Sequence, residues 1–245
     1  MDDAGWGAPT GLRAFLLGFA LAALGSSLFP ARAPPAAHMS ALRGGGEEAP
    51  QNVYFDIGAN NGDSVTAFLA SRDLFFSVVL VEANPAFTPV LRALCAQVVA
   101  DGRARACEAL VETAITTFDG SVQLFAEQSS GWASASSIVP ESSIVRGPGA
   151  RVNTTALDIV TLFRARRKGP QDFWAIKIDI EGAEFQVIPR AIFHGVTARW
   201  DEVSVEWHDT NKWIFEANAA RTAIRENCQA FWKMMGIIDL PWARR

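Results

Sequence analysis

Apolar residues recur along this chain in two alternating rhythms. Short, solidly apolar runs end in acidic or glycine residues, and longer stretches with apolar positions three and four apart follow them. Val53-Tyr54-Phe55 is the first run, and it gives way to Asp56, Gly58, Asn60, Asn61 and Gly62. That is a buried strand stopping in a turn. Val65, Phe68 and Leu69 then fall at helical spacing, with Asp63 or Ser64 placed to cap the helix. Val78-Val79-Leu80-Val81 is the second run, closed by Glu82, and Val90, Leu91, Leu94, Val98 and Val99 mark a second helix. Residues 109–115 read as a third strand, and Asp119-Gly120 is a hairpin signal into Val122-Gln123-Leu124-Phe125. Leu157, Val160, Thr161 and Phe163 predict a helix over 155–168, stopped by Gly169-Pro170. Residues 173–179 are apolar on both faces, as in a central parallel strand. A further strand over 203–208, a helix over 219–235 and a last strand over 237–240 complete the series. Strands alternating with helices predict an α/β fold: a doubly wound, mostly parallel sheet, Rossmann-like, with helices on both faces.

The first 50 residues follow a different pattern. Residues 14–29 carry no charge, between Arg13 and Pro30. Sixteen helical residues reach about 24 Å, short of a hydrocarbon core of roughly 30 Å. The segment is expected to be a hydrophobic helix acting as a single-pass membrane anchor in the secretory pathway or Golgi. The alternative is a signal peptide cleaved from a secreted chain, with Ala31-Arg32-Ala33 as a small-residue site. The Ala-, Pro- and Gly-rich stretch to residue 50 reads as a stem, so the folded domain spans 51–245.

Composition narrows the function classes. The chain has 245 residues, 49% hydrophobic and 20% charged, with net charge −4. That is ordinary for a globular protein and gives no electrostatic case for nucleic acid. Cys95, Cys107 and Cys228 show no zinc spacing. Buried free thiols are the plainer reading, and pairing of Cys95 with Cys107 requires an oxidising compartment. Asn153-Thr154-Thr155 is a glycosylation acceptor pattern, relevant if the domain is lumenal. Residues 129–137, with Trp132, read as a flexible loop, and the basic residues from Arg164 to Lys168 as a solvated helix end.

Ligands of such sheets sit beyond the carboxyl ends of the strands. Asp56, Glu82, Asp179 and His208 all fall at that edge. The first turn lacks the three glycines of the dinucleotide fingerprint, since Asn60 and Asp63 stand at the second and third positions. It also lacks a phosphate loop. It reads D-x-G-x-N-x-G instead, with an acidic residue, Glu82, at ribose distance downstream. That turn resembles the S-adenosylmethionine loop of class I methyltransferases.

The wider pattern resembles the FkbM-type family of S-adenosylmethionine-dependent methyltransferases. The matching stretches are FDIGANNG (55–62), VLVEANP (79–85), ETAITTFDGSVQLF (112–125), TALDIV (155–160) and IKIDIEGAEFQVI (176–188), with VSVEWH (203–208) a weaker match. The resemblance implies a class I methyltransferase fold, S-adenosyl-L-methionine as donor, and transfer to a hydroxyl oxygen of a small molecule or sugar. It implies a cofactor-binding set of Asp56, Gly58, Asn60, Gly62, Glu82 and Asn84. Asp179, Glu181 and His208 are the groups near the edge that can orient the acceptor or take its proton. His208, with an ordinary pKa of about 6.5, is the expected base. Each has a structural alternative: Lys177 with Asp179 as a buried pair, Glu181 as a helix cap, His208 as a satisfied strand-end residue. Two carboxylates are too few to indicate a metal. The competing functions are a non-catalytic cofactor-binding module and, against the loop's residue count, a nicotinamide oxidoreductase.

Overall fold

The computed structural model describes residues 51–126, 136–139, 150–208 and 215–240. The expected hydrophobic helix over 14–29, the stem and Trp132 lie outside these residues. No helix among the described residues is long and apolar enough to cross a membrane.

The first apolar run is β1 (Asn52–Ile57), followed by α1 (Asp63–Ala70), β2 (Phe76–Glu82), α2 (Thr88–Ala100) and β3 (Ala106–Val111). The chain later returns as β8 (Trp174–Ile178), α4 (Glu184–Phe193), β9 (Glu202–Val205), α5 (Phe215–Met235) and β10 (Ile238–Leu240). These strands form a six-stranded sheet in the order β10-β9-β8-β1-β2-β3. Every pairing in it is parallel. The chain winds outward through β2 and β3, then reverses to lay β8 against the other side of β1. That switch point is where a doubly wound sheet opens a crevice.

Both faces of the sheet are covered, which is why its strands are apolar without alternation. Tyr54, Val78 and Leu80 pack on one face against Val65, Leu91 and Val98. Phe55, Ile57, Val79 and Val81 pack on the other with Phe163, Trp174, Trp200 and Trp232. The Phe55 and Phe163 ring centroids are 4.9 Å apart. Burying each such side chain contributes about 1.5–3 kcal/mol. The helix over 184–193 runs through Pro189 without ending.

Four expectations are corrected. The strand expected over 109–115 is broken by Glu112, at φ 54°. It becomes β3 and β4 (Thr113–Thr116), which belong to different sheets. The Asp119-Gly120 turn leads into β5 (Gly120–Ala126) but closes no hairpin with β4. β7 (Ala150–Asp158) lies between them, in a second sheet of order β4-β7-β5-β6, where β6 is Ser136–Ser137. The Asp119 carboxylate instead accepts from Asp158 N (2.9 Å) and Thr161 Oγ1 (2.7 Å). The helix expected from residue 155 starts only at α3 (Ile159–Arg164), because Asp158 caps it by accepting from Val160 N. At its end Arg164 and just past it Arg167 are exposed, while Arg166 pairs with Glu108 at 2.6 Å and Lys168 with Asp201.

The fourth correction is Cys95–Cys107, a disulfide joining α2 to β3. Its Cα separation of 5.1 Å is ordinary for such a bond. Cys228 is a buried free thiol, and burial pushes it up to about 12. Closing a loop of this length removes about 3 kcal/mol of unfolded-state freedom. Reduction should therefore lower the melting temperature by about 6–12 °C. Identical melts with and without reductant would show that the bond does not form.

Candidate active site

The site begins with a close approach that only glycine permits. Gly58 has φ 82°, and a Cβ there would lie 1.7 Å from the backbone oxygen of Asp179. Asp179 N donates to Ile57 O (2.9 Å), so the ends of β1 and β8 are locked side by side. Gly58 N and Ala59 N donate to Val81 O (2.9 and 3.0 Å), which ties the same turn to β2. Gly62, at φ 88°, starts α1; a Cβ on it would meet Leu94 at 2.1 Å. Neither Asp63 nor Ser64 caps that helix. Ser64 Oγ donates to Asp56 Oδ2 (2.5 Å).

Lys177 stands under the turn. Its Nζ donates to Gly58 O (2.5 Å) and lies 3.1 Å from Asp56 Oδ1 and 3.3 Å from Asp179 Oδ2. Burial acts to lower its pKa, but Asp56 and Asp179 outweigh that and hold it above the ordinary value. Asp56 has no solvent exposure and props the turn from below.

A cleft opens above. It is lined on one side by Gly58, Asn60 and Glu82, and on another by Asp179, Glu181 and Ala183. Thr113, Ile115, Leu124 and Ser136 of the second sheet form its roof. Asp56, Gly62 and Asn84 do not line it. Glu82 Oε2 accepts from Asn60 N (2.8 Å) and Oε1 from Asn84 N (2.7 Å). Burial raises its pKa, against those two hydrogen bonds. Asn84 is 4% exposed. Its Oδ1 accepts from Ala86 N (3.0 Å) and its Nδ2 donates to Ser136 Oγ (2.9 Å), binding the two sheets together.

At the edge of the cleft the structure gathers Asp179, Glu181 and His208, as the sequence predicts. It adds Glu184 and Glu206. His208 Nδ1 lies 3.0 Å from Glu184 Oε1, and Nε2 lies 3.0 Å from Glu181 Oε2. Nε2 is also 3.8 Å from both Asp179 Oδ1 and Glu206 Oε1. Burial lowers the imidazole's pKa, but the bonds to Glu181 and Glu184 prevail and raise it to about 11. A group raised this far holds its proton at neutral pH, so a role as base would require the imidazolium to lose it first.

Glu184 was not legible as a site residue. It is fully buried. Oε1 also accepts from Ile180 N and Oε2 from Gly182 N, both at 2.8 Å. It, rather than Glu181, is the acid that reaches back from the helix start to cap the preceding loop. The available signal was the second glutamate of IEGAE, three residues past the first and in the helix's first turn. Asp179, Glu206 and His208 each offer one ligand atom, all within 4.8 Å of one another. A cation there would compete at Nε2 with the Glu181 contact.

The Methyltransferase FkbM domain model matches residues 56–229. The chain belongs to the FkbM methyltransferase family. A crystal structure of methyltransferase FkbM from Methylobacillus flagellatus KT is similar over 77% of this chain, with 13% identity and a TM-score of 0.46. This chain spans 38% of that one. No curated protein matches it. The match begins at Asp56 and takes in every expected site residue through His208.

Proposed function

We propose that the chain transfers a methyl group from S-adenosyl-L-methionine to a hydroxyl oxygen of a small molecule or sugar. The observation that carries this reading is the cleft with Gly58, Asn60 and Glu82 on its β1–β2 side and Asp179 with Glu181 on its β8 side. The residues suit the cofactor. The Glu82 carboxylate faces the cleft and has lone pairs beyond those given to Asn60 N and Asn84 N, enough to accept from ribose hydroxyls. The close-packed turn at Gly58 lets backbone line the cleft directly. Asp179 and Glu181 suit a cationic group. When bound, the cofactor supplies a sulfonium-activated methyl.

The chain's own residues would then hold the acceptor oxygen in line and take its proton. Asp179, paired with Lys177, orients the acceptor. Glu181 accepts the proton, and His208 fixes its carboxylate. The net charge of −4 leaves nucleic acid an unsuitable acceptor.

Titration with S-adenosylmethionine or its demethylated product should release or absorb heat, while NAD should not. Glu82→Gln should weaken cofactor affinity by about 10- to 100-fold, from the loss of a charge-assisted hydrogen bond worth about 1.5–3 kcal/mol. Absence of heat with folded wild-type protein overturns the reading. Unchanged affinity in Glu82→Gln, with lowered stability, confines Glu82 to holding the turn.

A further inference from the structure

The sheet that roofs the cleft has a second face. Along β7, Thr154, Ala156 and Asp158 are buried, while Arg151, Asn153 and Thr155 are exposed. Successive side chains of a strand point to opposite faces, so the two sets are separated by the sheet itself. The inner set abuts the site: Thr154 Oγ1 donates to Ala83 O (3.3 Å), beside Glu82. The neighbouring Leu124 of β5 lines the cleft. The outer set is polar or charged. Asn153 pairs with Gln123 and Thr155 with Ser121, and all four are exposed.

Asn153-Thr154-Thr155 is the chain's one Asn-x-Ser/Thr sequence. Such a triplet is a modification site only if the folded protein can carry a glycan on it and if the chain meets the transfer machinery. The outer face of β7 meets the first condition. Asn153 sits among side chains no bulkier than Gln123 and Arg151, and a substituent there projects away from the cleft. Its position in a strand is no obstacle, because transfer can precede folding. The Cys95–Cys107 disulfide speaks to the second condition independently, from the other sheet. Disulfides persist in oxidising compartments and are rare in the cytosol, and N-glycans are acquired in the secretory pathway.

We propose that Asn153 is an N-glycosylation site on the outer face of the roof, and that the methyltransferase domain lies on the lumenal or extracellular side. The donor class is an oligosaccharide linked to a polyprenyl diphosphate. The Asn153 amide nitrogen forms a bond to the sugar's anomeric carbon and gives up one proton. The bond from that carbon to the diphosphate oxygen breaks, and polyprenyl diphosphate leaves with the electron pair. No oxidation or reduction occurs. The glycan shields the polar outer face and leaves the cleft open, so this inference does not depend on which acceptor or donor occupies the cleft.

The test is expression of the full chain in a eukaryotic secretory host, followed by peptide-N-glycosidase treatment and peptide mass spectrometry under non-reducing conditions. The expected result is a mobility shift of one glycan, lost on enzymatic removal, with Asn153 converted to Asp in the treated peptide. N153Q and T155A should each abolish the shift, the second while keeping the asparagine. Both substitutions lie on the exposed face, and equal melting of the two variants checks that loss of the glycan is not loss of the fold. An unmodified Asn153 peptide overturns the proposal. If the same digest shows Cys95 bonded to Cys107, the site is refused in the right compartment. If it shows free thiols, the compartment itself is wrong.

Discussion

Gly58→Ala should lower the melting temperature by about 4–20 °C and abolish cofactor binding in the protein that remains folded. Two costs combine. A side chain at φ 82° carries left-handed strain of about 1–2 kcal/mol. The added methyl also meets the Asp179 backbone oxygen at 1.7 Å, and a backbone atom cannot swing aside as a side chain can. Overpacking of this kind costs about 1–3 kcal/mol, so the total is about 2–5 kcal/mol, at roughly 2–4 °C per kcal/mol for a domain of this size. Relief comes only by separating the ends of β1 and β8, which carry the two walls of the cleft. Gly102→Ala is the control. Gly102 has φ 67°, and a Cβ added to it would meet nothing within 4 Å, so the substitution should cost only the backbone strain. Thermal melts of both variants decide the matter. Equal, small losses would mean that the close approach at Gly58 contributes nothing.

His208→Ala should destabilise the protein by about 3 kcal/mol near pH 6, and the loss should shrink as pH rises. The imidazolium lies between Glu181 and the fully buried Glu184. Removing one partner of a buried pair costs about 3–5 kcal/mol. The lower figure applies because the His208 side chain keeps 16% exposure. The sign of the pH dependence follows from the raised value. Folded His208 titrates at about 11 against an ordinary 6.5. Its stabilising contribution is therefore complete below about pH 6.5 and is lost as pH climbs towards 11. Urea melts of wild type and variant at pH 6, 8 and 10 should converge. Glu184→Gln in the same background should remove much of the difference, since the two residues share one interaction. A gap that stays constant with pH would mean that His208 is neutral in the fold.

The central sheet was legible because its strands are buried on both faces. Phe55, Ile57, Val79 and Val81 need no alternation to be recognised, and Asp56, Glu82 and Asp179 mark where those runs stop. The second sheet was not legible. Leu157, Val160 and Phe163 satisfy helical spacing, yet 155–158 pair with β4, and 155 and 156 with β5 as well. Local periodicity carries no record of partners that lie far along the chain. The break at Glu112 was hidden for a related reason: a left-handed non-glycine residue leaves no compositional mark. At the site, sequence placed Asp179, Glu181 and His208 together through strand order alone. It missed Glu184 because a buried glutamate in a first helical turn reads as a surface cap. It could not give the direction of the His208 shift, because a pKa depends on which carboxylates face both ring nitrogens, and that is a matter of distance.

The two walls of the cleft are encoded separately. The floor comes from the ends of β1, β2 and β8, where Lys177 joins Gly58 to Asp179 and Glu82 holds the turn through Asn60 N. The roof comes from one inserted stretch, 113–158, fastened by the Asn84–Ser136, Ser137–Glu181 and Thr154–Ala83 hydrogen bonds. Ile115 also packs in one core cluster with Phe55, Val79 and Val81, so the roof exchanges as a unit only where that apolar contact is kept along with the fastenings and the β4-β7-β5 pairing. This division of labour makes the inserted sheet the natural unit for grafting. A chimera that takes its roof from a relative tests whether the inserted sheet, rather than the strand ends beneath it, sets the choice of acceptor.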